Sequence, residues 1–109
     1  MTVQIENLEK MLASGRDGAL LRFGLGSAYL NEGEHARAAE HLGKAVELDP
    51  DYSAAWKLYA KALADAGERD AAVAAYDRGI EAADRRGDRQ AAKEMTVFRR
   101  RLQKQRDKN

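Results

Sequence analysis

Cysteine is absent from this chain of 109 residues and proline occurs once. The first absence excludes disulfide frameworks, thiolate nucleophiles and cysteine-based metal sites, and it is compatible with a reducing compartment. The second removes the residue that most firmly interrupts helices. Aromatics are sparse at 6 %, which leaves little material for sheets. No apolar run approaches the roughly 20 residues that a membrane-spanning helix needs. Glu6, Glu9 and Lys10 fall inside what would have to be the apolar core of a secretion signal. The expectation is therefore a cytoplasmic protein with no membrane contact. Missing too are a Gly-rich phosphate loop, a nucleophile elbow and a His-Glu metal motif.

What remains is a composition rich in Ala, Glu, Asp, Arg and Lys, which favours helices. Charge is almost balanced at +1 but unevenly placed. Six cations from Arg99 to Lys108 against Asp107 give the last eleven residues +5, so the rest carries −4. A basic last turn complements a helix macrodipole and keeps a terminal helix soluble, which is the more economical reading of that segment.

The chain also matches itself at an offset of 34 residues: Gly33, Glu34, Ala38, Val46 and Glu47 recur as Gly67, Glu68, Ala72, Ile80 and Glu81. A unit of this length holding two short helices cannot bury its apolar face alone, so it stacks on copies of itself. Asn31-Glu32-Gly33-Glu34 and Ala66-Gly67-Glu68 are equivalent reversals within a unit, each placing Gly where a helix ends. Asp49-Pro50-Asp51 is the break between units, because Pro does not continue a helix and biases the residue before it away from helical backbone. The pattern predicts helices near Thr2–Ala13, Ala19–Asn31, His35–Leu48, Ser53–Ala66, Arg69–Arg86 and Asp88–Gln105.

These residues resemble the tetratricopeptide repeat (TPR) family from Ala19 to Arg86. Counted from Ala19, the chain supplies Leu25, Gly26, Tyr29, Ala38, Leu42, Ala45 and Pro50 in the family's pattern. Counted from Ser53, it supplies Trp56, Tyr59, Ala60, Leu63, Ala72, Tyr76 and Gly79, with Asp84 where Pro would stand. The resemblance implies an all-α, right-handed α-solenoid of antiparallel helix pairs with six helices. Its expected divisions are 1–18 as an N-terminal cap, 19–52 and 53–86 as two repeats, and 87–109 as a solvating helix with a basic tail.

Physically, Gly26, Ala38, Ala45, Ala60, Ala72 and Gly79 let helices approach closely, and Leu25, Tyr29, Leu42, Trp56, Tyr59 and Tyr76 fill the gaps between them. Trp56 and Tyr76 are thus read as core. Arg22 departs from the family's preference for a large apolar residue, and its aliphatic stem is expected to cover the same surface. The first helix is expected to pack through Val3 or Gln4, Leu8, Met11 and Leu12, and the last through Ala91, Met95, Phe98 and Leu102. Asp88 is read as the N-cap of the last helix, and the longer break before it suggests an atypical docking angle.

No constellation for catalysis emerges, so neither an enzyme, a metal site nor a cofactor is expected. His35 and His41, six residues apart on one helix, do not share a face and are read as partly exposed surface residues. The TPR resemblance implies protein binding in a concave groove formed by the first helix of each pair. Its groove positions are Leu20, Phe23, Ser27 and Asn31, then Ala54, Lys57, Lys61 and Asp65. The last helix adds Arg89, Ala92 and Thr96, and Arg99 or Arg100. The expected ligand is an extended or helical peptide, with Lys57 and Lys61 pairing with carboxylates and Phe23 beside Leu20 receiving an apolar side chain. The family's carboxylate clamp for chaperone tails is not matched, because Phe23, Ser27 and Leu58 stand at its Lys, Asn and Asn positions. Two alternatives are a self-associating accessory module, dimerising through an end helix, and nucleic-acid contact through Arg99 to Lys108. The second is disfavoured by the negative remainder and the lack of interleaved aromatics.

Overall fold

A computed structural model describes residues 2–108. Its six helices are α1 (Val3–Ala13), α2 (Ala19–Asn31), α3 (His35–Leu48), α4 (Ser53–Asp65), α5 (Arg69–Arg86) and α6 (Arg89–Lys108), and no strand occurs among the described residues. Each helix packs on its sequence neighbour, and α4 also touches α2 and α6. Helices α2, α4 and α6 therefore form one layer, with α3 and α5 behind them.

Local chemistry explains the boundaries. The Thr2 hydroxyl accepts from the Ile5 amide at 3.1 Å and caps α1. An Asp88 carboxylate oxygen accepts from the Ala91 amide at 3.1 Å and opens α6, as its position predicts. Gly33 and Gly67, 34 residues apart, adopt φ of 75° and 86°, the left-handed backbone that reverses a chain after a helix and that side chains oppose. Asp49, before Pro50, is extended, and Trp56 locks that corner by donating its indole N–H to the Pro50 carbonyl at 2.7 Å. After α5 there is no such Pro. The helix runs on to Arg86 and turns through Gly87 and Asp88 alone, so the break before α6 is shorter than the one after α3, not longer. Arg85 reaches back from this extension to the Asp51 carboxylate at 2.8 Å.

Two apolar clusters fill the interior. One joins α1 to α4 around Ile5, Leu25, Tyr29 and Leu42; the other joins α3 to α6 around Trp56, Tyr76 and Met95. Phe23 and Tyr59 pack against both. All six small positions named above are buried. A Cβ at Gly79 would stand 2.6 Å from the Met95 sulfur and 2.8 Å from Trp56 Cβ, and one at Gly26 would fall on Leu42. Close approach is thus a requirement at those glycines rather than a tolerance.

Two further expectations are corrected. The first helix buries Ile5 completely and packs through Leu8 and Leu12, while Val3 and Met11 are exposed. The buried stripe runs i, i+3, i+7 from Ile5, one residue out of phase with the expected start. His41 is buried, not a surface residue. Its ring lies parallel to Tyr29 with centroids 5.5 Å apart, and its Nδ1 faces the Arg22 guanidinium at 3.1 Å. Arg22 in turn binds both Asp17 oxygens, at 2.8 and 2.9 Å. The charged head of Arg22 thus ties a loop carboxylate to a buried imidazole.

Candidate functional site

The layer α2, α4, α6 carries every position expected to line a groove. Leu20 is 76 % exposed at one end. Phe23 is half-buried and stacks on Tyr52 with ring centroids 5.0 Å apart, so its face is already covered. Ser27 is half-buried, while Asn31, Ala54 and Arg89 are exposed. Thr96 donates its hydroxyl to the Ala92 carbonyl one turn back, at 2.7 Å. Arg99 is engaged by Asp77 and by Gln103, leaving Arg100 exposed beside it.

Lys57, Lys61 and Asp65 come together in one cleft between α4 and α6, with a volume of about 290 Å³. Leu20 and Phe23 are not part of it. Both lysines already face carboxylates. Lys57 pairs across the cleft with Glu94 at 3.2 Å. Lys61 pairs one turn along α4 with Asp65, also at 3.2 Å, and Asp65 approaches His35 at 3.8 Å. Such half-exposed pairs contribute roughly 0–1 kcal/mol each, so a ligand carboxylate can exchange into them at little cost.

The rest of the lining was read as core or left unassigned. Leu58 and Ala64 come from α4, Tyr76 from α5, and Phe98, Arg101, Leu102 and Gln105 from α6. Phe98 tilts against Tyr76 with centroids 6.2 Å apart, yet stays 39 % exposed. Leu102 is buried beneath it. Tyr76 is only 5 % exposed, and its hydroxyl makes no hydrogen bond to any described residue. Among the described residues, the one side-chain polar atom both sealed from solvent and unpaired is His35 Nδ1, so the Tyr76 hydroxyl keeps some contact with solvent, and the residue lines the cleft. Burial, with a smaller contribution from the nearby Asp65 charge, pushes this phenol up to about 12. It therefore stays protonated and can donate a hydrogen bond. The available signal for this lining was the spacing of Phe98, Arg101, Leu102 and Gln105, which places them on one helix face.

A larger hollow of about 770 Å³ lies on the other side, between α3 and α5 over Trp56 and Tyr59. Of its charges, Lys44 faces Glu47 at 3.9 Å and Arg78 lies 4.9 Å over the Trp56 ring. Among the described residues, no three His, Asp or Glu side chains gather as a metal site, and no helix is long and apolar enough to cross a membrane.

Two models of the tetratricopeptide repeat match the sequence, over residues 29–95 and 5–52. The chain belongs to the tetratricopeptide repeat family. A TPR repeat-containing protein of Pseudomonas aeruginosa is 56 % identical over 104 residues, covering 95 % of this chain and 99 % of that protein. A Bordetella parapertussis protein solved in solution is 45 % identical with a TM-score of 0.81, covering 96 % of this chain and 91 % of that one. A heat-shock cognate co-chaperone of Aspergillus fumigatus is 41 % identical over 56 residues, 51 % of this chain and 16 % of its own length. TPR domains are generally non-catalytic folds that bind other proteins. The antiparallel helix pairs seen here are that solenoid.

Proposed function

We propose that this chain is a non-catalytic protein-interaction module that holds a segment of a partner protein on its α2, α4, α6 face, in the cytoplasm and without a cofactor. The observation that carries the reading is the α4–α6 cleft, which combines an apolar floor of Leu58, Phe98 and Leu102 with a cationic rim. Surfaces of that kind recognise peptides by one buried anchor and a few charge-assisted contacts. Leu20, Phe23, Ser27, Asn31 and Ala54 extend the same face on one side, and Arg89 and Thr96 continue it on the other. In this reading residues 19–52 and 53–86 are the two repeats, with flanking segments 1–18 and 87–109 as caps.

Nucleic-acid binding through the basic terminus is weakened by two internal partners. Arg99 is held by Asp77, and Arg106 faces Asp70 at 3.1 Å. Part of the +5 is thus spent within the fold, and the surface offers no aromatic ladder for bases.

The test is an affinity capture with the full chain as bait, read by mass spectrometry. Three baits are compared: wild type, Ala54→Arg/Lys61→Glu on the proposed face, and Ala74→Arg on the opposite face. A partner lost with the first variant and kept with the second is the expected result. The reverse pattern contradicts the reading. Recovery of the chain's own copies alone would move the function to self-association.

A further inference from the structure

Tyr76 and Arg101 stand out as groups whose bonding capacity the fold leaves unused. A phenol that is almost wholly buried usually hydrogen-bonds its hydroxyl, because an unmade bond costs roughly 1–3 kcal/mol once water is also restricted. Tyr76 is buried to 5 % exposure and has no such bond to a described residue. Arg101 lines the same cleft, is exposed, and makes no hydrogen bond or ion pair with a described residue. The lysines on the opposite wall are in a different state, each already facing a carboxylate. Two donors without acceptors therefore share one cleft. The same cleft is lined by apolar groups: Phe98, 39 % exposed, and buried Leu102 from α6, with Leu58 and Ala64 from α4.

We propose that the α4–α6 cleft recognises a protein segment carrying a large apolar side chain next to a carboxylate, with the apolar group seated on Phe98, Leu102 and Leu58 and the carboxylate shared by the Tyr76 hydroxyl and the Arg101 guanidinium. This rests on the reading of the α2, α4, α6 face as the binding face and names its ligand chemistry. Charge decides the occupant. Lys57 is matched by Glu94 and Lys61 by Asp65, so Arg101 is the cation left in excess at the cleft, and a neutral hydroxyl donor together with a guanidinium selects an acceptor that is also an anion. A volume of about 290 Å³ suits a single side chain rather than a whole helix face. Recognition here thus combines one anchor with one charge, and Lys57 and Lys61, already facing carboxylates, are secondary to it.

The probe is the amidated, acetylated hexapeptide Glu-Glu-Leu-Phe-Glu-Glu, titrated into the full, nitrogen-15-labelled chain and followed by amide chemical shifts. Saturable shifts centred on Ala64, Phe98 and Leu102 are expected. Replacing the peptide's Glu residues with Gln, or its Leu-Phe with Ser-Ser, should abolish saturation. Tyr76→Phe should weaken binding about tenfold, as for a lost hydrogen bond to a charged group. Arg101→Gln should weaken it about threefold, as for an exposed ion pair. Loss of affinity in Tyr76→Phe counts only with an unchanged thermal midpoint, which separates a ligand contact from a structural one. Saturable shifts confined to Leu20, Phe23 and Ser27 would overturn this assignment while leaving the binding face intact. No shift at millimolar peptide, or equal binding by the Gln peptide, would overturn the ligand chemistry, and the capture experiment then decides the module reading separately. Shifts at the cleft with a single-stranded oligonucleotide but not with the peptide would overturn it as well.

Discussion

Tyr29 and Tyr76 are buried to nearly the same degree, 2 % and 5 % exposed, yet only one of them is bonded. Tyr29 lies where α1, α2 and α3 meet and donates its hydroxyl to Glu9 at 2.7 Å. Around it the polar groups close on one another: His41 stacks on its ring, Arg22 faces His41, and Asp17 holds Arg22. Tyr76 lies where α4, α5 and α6 meet, and its hydroxyl has no such acceptor. One junction is complete without a ligand. The other leaves a donor, a cation and an aromatic face unused, and burial alone would not have distinguished the two.

The largest effect should come from removing the side chain that seats α6. Met95 is fully buried against Gly79, so Met95→Ala should cost roughly 2–5 kcal/mol in urea unfolding and erase the cleft with it. If α6 unfolded independently, a separate low-denaturant transition would appear instead of a single shifted one. Next comes Tyr29→Phe, which strips Glu9 of its donor and should destabilise by about 1 kcal/mol. The same deletion at Tyr76 should not destabilise, and equal losses at the two sites would dissolve the contrast between the junctions.

A pH dependence should belong to the N-terminal junction. Burial, opposed by the Glu9 charge and aided by Arg22, pushes His41 below its ordinary value of 6.5. The folded state thus prefers the neutral ring, whose Nδ1 accepts from Arg22. His41 therefore contributes stability that is present above pH 6.5 and is lost as pH falls through 6.5 toward the lower folded value. The charged groups facing it are Glu9 from α1, Arg22 from α2, Glu40 on its own helix and Asp17 from the loop. His41→Gln, which keeps an acceptor for Arg22, should flatten the thermal midpoint between pH 7 and 5 on the scale set by that titration. The smallest effect is expected at Lys57 and Glu94. A double-mutant cycle with Gln at both positions should give a coupling of about 0.5 kcal/mol or less that fades in salt.

Repeat period and turn chemistry made most of this fold readable from the letters. Gly33, Gly67 and Pro50 each act on the backbone locally, so their consequences travel with the sequence. The end of α5 at Arg86 follows from the sequence, but the break after it is short where a longer one is expected, because left-handed Gly87 reverses the chain and Asp88 caps α6 at once. The cleft was legible only in part. Periodicity shows which side of α6 is apolar, but whether Phe98 is covered depends on how far α4 lies from it. Lys57 finds its partner Glu94 37 residues away, which no local spacing shows, and Tyr76 is read as core because its ring is core. What separates it from Tyr29 is a missing acceptor, which no spacing rule reports.

The most direct measurement pairs two numbers on one variant: the thermal midpoint of Tyr76→Phe and its affinity for the acidic, Leu-Phe-centred peptide. An unchanged midpoint with about tenfold weaker binding is the predicted result, since the hydroxyl would then serve a ligand and not the fold. A lowered midpoint with undiminished binding would contradict it, and would make Tyr76 a second Tyr29.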